Sequence, residues 1–265
     1  MACPEAARRG GSLVTHIVIH VLTPLHVGVG QGIGGVDLPV ARQKPTNFPY
    51  IPGSTLKGCF RARLSSHPNA RVLFGPEPEP HLDDSAGAVF FGDAHLVAMP
   101  VRHAEKTFVW VTCPYLLAAV GRIGIELARS PGDAANLVLE NDVAVRAKSP
   151  VRTVVDWIAT ATRHATAFVR ERVFELSDDD FGWACEFATQ VDVRNRIGLD
   201  TGVVVDKALW AEESLAPESI LVAAIDRRSQ NVDLAPLNVG GLVLGGKNTI
   251  GRGVCRVTFG NGRSA

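Results

Sequence analysis

An α+β fold is predicted, with helices on one face of a mainly antiparallel sheet. Strand-like segments recur along the 265 residues, helical segments interrupt them only occasionally, and the order runs strand, helix, strands, helix, strands. No regular βα alternation is present, which excludes a parallel barrel or a doubly wound sheet and leaves an arrangement of ferredoxin-like type. With 46% hydrophobic residues the chain can bury a sizeable core, and no composition shift marks a linker, so residues 1–265 read as a single domain.

Residues 13–22 (LVTHIVIHVL) alternate β-branched and polar side chains, the period-two pattern of a half-buried strand. Thr23-Pro24 ends it, and a glycine run, HVGVGQGIGG, opens a loop that lasts to residue 47 and is too long to be a mere connection. A helix is expected after Pro52-Gly53, capped by Ser54, with Leu56, Phe60 and Leu64 on one face and Lys57, Arg61 and Arg63 around the others. Residues 67–87, rich in proline and acid, read as a mobile connection.

Strands are expected at 88–101 and 107–111, then a helix from Pro114 to about residue 129. Residues 137–174 mix β-branched residues with Arg146, Lys148, Arg152 and Arg163, and suit a β-hairpin projecting from the body. Ser177 and the three aspartates after it cap a helix through residue 190, because acids favour the free N–H groups of a first turn. Strands follow at 203–209 and 219–226, residues 237–244 are helical or extended, and GGKNTIGRG leads into a closing strand at 254–259.

The 27 basic residues balance 27 acidic ones, but not locally. Residues 1–75 hold eight Lys/Arg against Glu5 and Asp37, and residues 241–265 hold four basic groups and no acid, so a polyanion can find a one-sided positive surface. Most of these cations are arginines, whose planar fork suits phosphates. Cys3, Cys59, Cys113, Cys185 and Cys255 include no CxxC pair and are odd in number, which fits a reducing compartment. The apolar stretch at 13–22 is broken by His16 and His20 and has no cleavage site after it, so neither a signal peptide nor a membrane span is expected. The localisation read from this is cytoplasmic.

Gly30 to Gly35 matches GxGxxG literally, yet no helix opens at its third glycine, so a dinucleotide site is rejected. Asp37 is the only acid between Glu5 and Glu77; an Asx-turn or structural ion pair competes with a role in binding metal or steering a proton beside a phosphodiester. His16 and His20 share one strand face and suit packing, whereas His26, beside the glycine run, is a candidate base. The glycine loops GVGQGIGG and GGKNTIGRG each adjoin a strand and basic residues, a pattern that favours a nucleic-acid backbone track of N–H groups and cations.

TPLHVGVGQGIGGVDLPVARQKPTNFPYIPGSTLKGCFRARL, FFGDAH, NRIGLDTGVVVDKALWAEESLAP and the carboxy-terminal GGKNTIGRG are spread over nearly the whole of residues 23–257. In combination they resemble the RAMP superfamily of CRISPR proteins, in particular the backbone subunit of the type III-B (Cmr) effector complex; a type III-A backbone subunit carries a related helix and loop aspartate. The resemblance implies a modified ferredoxin-like or RRM-like palm with an inserted thumb hairpin, placed around 137–174, and glycine-rich loops. It further implies self-association into a filament along a guide CRISPR RNA, with other Cmr subunits as partners, and cleavage of target RNA at regular intervals.

By position the family's catalytic loop aspartate corresponds to Asp37, which would hold a divalent ion, Mg²⁺ or Mn²⁺, or assist attack by a ribose 2′-OH. Gly28, Gly30, Arg42, Ser54, Lys57, Arg61, Gly246, Lys247 and Arg252 are the candidates for RNA contact. Two other readings stay open: a structural guide-binding subunit whose Asp37 is inert, and a lone guide-processing nuclease that uses a base such as His26.

Overall fold

The computed structural model describes residues 15–28, 30, 36–76, 86–125, 127, 134–139, 143–149, 152–198, 200–229 and 231–261. Residues 13–14, the glycines at 32, 34 and 35, the acidic stretch 77–85 and Cys3 lie outside them.

Its spine is β1 (Thr15–Val21), which pairs antiparallel with β12 (Val254–Asn261) on one side and β10 (Ile220–Arg227) on the other. Next to β10 lies the long β3 (Val89–His103), itself paired with β2 (Tyr50–Ile51) and with β4 (Thr107–Thr112). The sheet then continues through β7 (Val173–Glu175), the one parallel neighbour, to the hairpin of β5 (Ala134–Val138) and β6 (Ala144–Lys148); β11 (Gly241–Val243) closes the other edge. A separate two-stranded ribbon consists of β8 (Gln190–Ile197) and β9 (Val204–Ser214).

The α+β class is as expected, but helices cover both faces of the sheet. One face carries Ile17, Ile19 and Val21 against α1 (Gly53–Arg63), α2 (Ala70–Phe74) and α6 (Asp178–Phe187), through Leu56, Phe60, Phe74 and Phe181. The other carries Val18, Ile220 and Val222 against α4 (Arg152–Thr162) and α5 (Thr166–Arg170). The physical reason is that β1 is buried on both sides, His16 and His20 included, so its alternation does not mark a wet face. Each sealed face removes apolar surface from water at about 25 cal/mol per Å². His20 Nε2 meets Glu218 Oε2 at 2.9 Å, which makes the imidazole tolerable there.

Other expectations need correction. Ser54 does not cap α1; it is exposed, and the Gly53 N–H donates instead to Asp93 Oδ1 of β3 at 2.8 Å. A Cβ on Gly53 would collide with the β3 backbone, so the glycine lets the helix start against the sheet. The segment at 67–87 contains α2, which packs Leu73 and Phe74 into the core. The helix α3 (Pro114–Arg122) stops short of residue 129.

The hairpin expected within 137–174 is the β5–β6 pair, which begins earlier, at Ala134, ends at Lys148 and is joined to the sheet through Lys148 and Glu175 instead of projecting from it; α4 and α5 follow within that segment. The element apart from the sheet is the β8–β9 ribbon. Ser177 does cap α6, its Oγ accepting from Asp180 N–H at 3.0 Å, but that helix ends at Phe187 and hands over to β8. Among the described residues no helix is long and apolar enough to cross a membrane.

Candidate nucleic-acid interface

The strip Pro24–Gly28, which leads into the first glycine run, and the carboxy-terminal glycine loop, more than 200 residues apart in sequence, meet at the end of the ribbon. Leu25 and Leu215 exchange backbone hydrogen bonds at 3.0 and 2.9 Å, so the chain leaving β1 runs along the end of β9. It then doubles back: Ala41 N–H donates to the Val27 carbonyl, and Leu38 bonds across to Ala211 and Glu213. The carboxy-terminal loop lies on this strip, with Gly246 N–H donating to the His26 carbonyl at 3.1 Å and Gly253 N–H to that of Pro24 at 3.0 Å. Gly245 sits at φ +70°, and an added Cβ would overlap the His26 carbonyl, so only glycine permits this approach.

His26 is buried between the loops. Its Nδ1 donates to the Glu213 carbonyl at 2.7 Å, which defines the Nδ1–H tautomer and leaves Nε2 as the acceptor facing the Gly28 backbone. Asp37 is exposed on the returning strip, and its Oδ2 accepts from the Ala211 N–H at 2.7 Å. Among the described residues no donor reaches Oδ1, and Asp37 pairs with neither Arg42 nor Lys44. Gly30, at φ +100°, faces open space nearby in sequence.

Arg42 serves the fold. It donates to the carbonyls of Asn47 and Cys185, to Thr189 Oγ1 and to Glu213 Oε1, stitching the loop to α6 and β9. Glu213 also accepts from Thr189 Oγ1 at 2.7 Å and from the Val40 N–H at 2.9 Å. Burial pushes the Glu213 carboxyl up, but the bonds from Thr189, Val40 and Arg42 outweigh it and hold the group below its ordinary value. Arg61 likewise turns inward to the carbonyls of Phe74 and Gly75, and Arg252 pairs with Asp192 and donates to Ser214 Oγ at 3.2 Å.

Their charge is spent on protein partners, which leaves Ser54, half-exposed Lys57 and Lys247 as the candidates without a hydrogen bond among the described residues. Lys247 Nζ stands 3.8 Å from Glu212 Oε2 and 5.8 Å from the centre of the Trp210 ring.

Sequence reasoning overlooked the ribbon residues Asp192, Arg194, Trp210, Glu212 and Glu213. One signal was available: EE inside the strand-like run LWAEES, where two adjacent acids must point to opposite sides and one is driven inward. As for a metal, among the described residues no group of three His, Cys, Asp or Glu side chains is close enough to hold an ion. The protein alone therefore offers Asp37 as a single ligand, which fits a hard cation only where phosphate oxygens and water complete its shell.

A family model described as the RAMP superfamily matches residues 18–256. The chain belongs to the RAMP superfamily. Within it, the chain is 27% identical to the CRISPR system Cmr endoribonuclease Cmr4 of Pyrococcus furiosus, over 91% of this chain and 94% of that one. A shorter match, 50% identical over 22% of the chain and 33% of the relative, is to the CRISPR system Cms endoribonuclease Csm3 of Mycobacterium tuberculosis. Among solved structures, a chain of the type III-B Cmr-beta complex bound to cognate target RNA superposes with a TM-score of 0.76 at 23% identity, covering 94% and 97% of the two chains. Oligomeric Cmr4 from Pyrococcus furiosus does so with a TM-score of 0.70 at 22% identity, covering 95% and 99%. These structural likenesses extend the shared fold across the whole sheet.

Proposed function

We propose that this RAMP protein is a backbone subunit of a type III-B CRISPR effector complex, acting in the cytoplasm, that holds a guide RNA and cuts complementary target RNA at the Asp37 loop. One observation carries the reading: in a chain related along nearly its whole length to a Cmr endoribonuclease, Asp37 lies exposed on the segment that returns along the strip where the carboxy-terminal glycine loop docks. The antiparallel order β12-β1-β10-β3, with α1 between β1 and β3, supports a ferredoxin-like palm. The β8–β9 ribbon, apart from that sheet and exposing Val193 and Leu209, is the thumb under this reading, in place of the 137–174 segment. Further copies of the chain, other Cmr subunits, the guide and its target are its partners.

In cleavage, a ribose 2′-oxygen attacks the adjacent phosphorus, its proton passes to a base, and the departing 5′-oxygen takes up a proton, leaving a cyclic phosphate and a 5′-hydroxyl. Asp37, with Oδ2 pinned by Ala211, directs its other oxygen to this centre. Asp37 would hold a Mg²⁺ or Mn²⁺ together with phosphate oxygens, and the ion would supply charge stabilisation of the phosphorane. Lys57 and Lys247 grip phosphates without reading bases, as a programmable complex requires. His26, with Nε2 as acceptor against Gly28, is the second group proposed for proton handling.

The test is to assemble the protein with guide RNA and its partner subunits, then compare wild type with Asp37→Ala on complementary RNA, with Mg²⁺ and with chelator. Regularly spaced products, lost by about 100-fold or more in the variant and in chelator, are expected. The bond from Ala211 to Asp37 favours a second reading, in which the carboxylate only braces the loop. Equal cleavage by wild type and variant would establish that reading and leave the chain as scaffold.

A further inference from the structure

Four of the seven buried side-chain polar atoms without a hydrogen-bond partner among the described residues fall on three neighbouring residues of the ribbon: Arg194 Nε, Trp210 Nε1 and both carboxylate oxygens of Glu212. Arg194 lies directly opposite Trp210, and Asp192 opposite Glu212, so all four side chains share one face. Asp192 is engaged by Arg252, but Glu212, wholly buried, is approached among the described residues only by the cations Arg194, Nε at 3.5 Å, and Lys247, Nζ at 3.8 Å. Desolvating a carboxylate without hydrogen bonds costs several kcal/mol, so a group left in that state by the protein calls for a partner from outside it: water, an ion or a ligand.

The orphans define their ligand. Glu212 needs a donor, while Arg194 Nε and Trp210 Nε1 need acceptors, and a phosphate alone would answer the second demand and violate the first. A hydroxyl offers one O–H and two lone pairs. We propose that this face is a ribose subsite, in which Glu212 accepts the 2′-OH of an RNA nucleotide, Arg194 and Trp210 donate to its oxygen, and Lys247 takes the neighbouring phosphate. A base edge would meet the same demands but would make binding depend on sequence. The half-exposed Lys247 and the partly exposed Arg194 roof the carboxylate, and the flexible lysine stem admits the sugar. The subsite rests on the RNA-binding reading and adds to it a means of telling RNA from DNA.

The test measures binding of the full chain to one labelled single-stranded sequence made as RNA, as DNA and as 2′-O-methyl RNA, which retains the oxygen but cannot donate. Wild type should prefer RNA by about tenfold over both analogues. Glu212→Ala should bind all three alike, at the wild-type DNA level, and Glu212→Gln, which keeps the shape and one acceptor, should fall between; thermal melts check that each variant is folded. An RNA preference that survives Glu212→Ala or Glu212→Gln unchanged, or wild-type binding that ignores 2′-O-methylation, overturns the subsite and leaves the subunit reading standing. A chain that binds no RNA at all overturns both.

Discussion

Glu212 and Glu213 are adjacent in the chain and both buried, yet they belong to opposite faces of the same ribbon and to different economies of hydrogen bonding. On the Glu213 face every demand is met: Val40, Arg42 and Thr189 converge on the carboxylate, and its own carbonyl sets the His26 tautomer. On the Glu212 face the carboxylate, an indole and a guanidinium lack hydrogen-bond partners among the described residues for the atoms named above. One face is complete in the isolated chain and holds the loops in place; the other is complete only with something bound. A strand achieves this cheaply, because successive side chains point to opposite sides.

The contrast predicts unequal costs. Glu213→Ala should be the most damaging change, lowering stability by about 3–5 kcal/mol, because it strands Arg42 and the Val40 N–H. Glu212→Leu should cost under about 1 kcal/mol, since Glu212 holds no hydrogen bond among the described residues and its two cations, Arg194 and Lys247, are partly exposed and can turn to water. Urea unfolding of the two variants measures this, and equal losses would break the comparison.

Gly245→Ala should cost about 2 kcal/mol or more through its positive φ and the clash with His26, while Gly251→Ala, at φ +81° with nothing within 4 Å, should cost nearer 1 kcal/mol. Thermal melts of this pair test whether the carboxy-terminal glycine loop is locked against the His26 strip.

Acid should attack the completed face. The Glu213 and Asp192 carboxyls are held below their ordinary values, burial being outweighed by Thr189, Val40 and Arg42 in the first case and by Gln190, Arg252 and Arg194 in the second. A carboxyl depressed on folding contributes stability that is present above its unfolded value, 4.5 for Glu213, and is lost as pH falls through the folded value. The urea midpoint should therefore drop below about pH 4.5. In Glu213→Gln that decline should be shallower.

The smallest expected effect is on the ligand side. Lys247→Ala should lower the salt slope of RNA binding by about one unit with little dependence on sequence, whereas Arg252→Ala, whose cation is engaged by Asp192, should act mainly through stability. Salt titrations of RNA affinity separate the two.

Much of this was legible in the sequence. The strand at 88–101, the closing strand, the Ser177 cap and the helix on Leu56 and Phe60 follow from local patterns, since periodicity and capping are decided within a few residues. Asp37 and the two glycine loops could be singled out because an isolated acid among cations and glycine clusters are rare in any chain. The partners that Arg42, Arg61 and Arg252 take within the protein were not legible, because a cation's partner is chosen by distant segments: Glu213, the α2 carbonyls and Asp192.

The sequence by itself therefore determined the α+β class and the family, and singled out the loops proposed to carry the chemistry. Tertiary structure alone decided that His16 and His20 face protein on both sides of β1, that the ribbon at 190–214 stands apart from the sheet, and which of two adjacent glutamates is satisfied. The physical reason is range: patterning and turn preference act over neighbouring residues, whereas burial and hydrogen-bond satisfaction depend on segments that only the folded chain brings together.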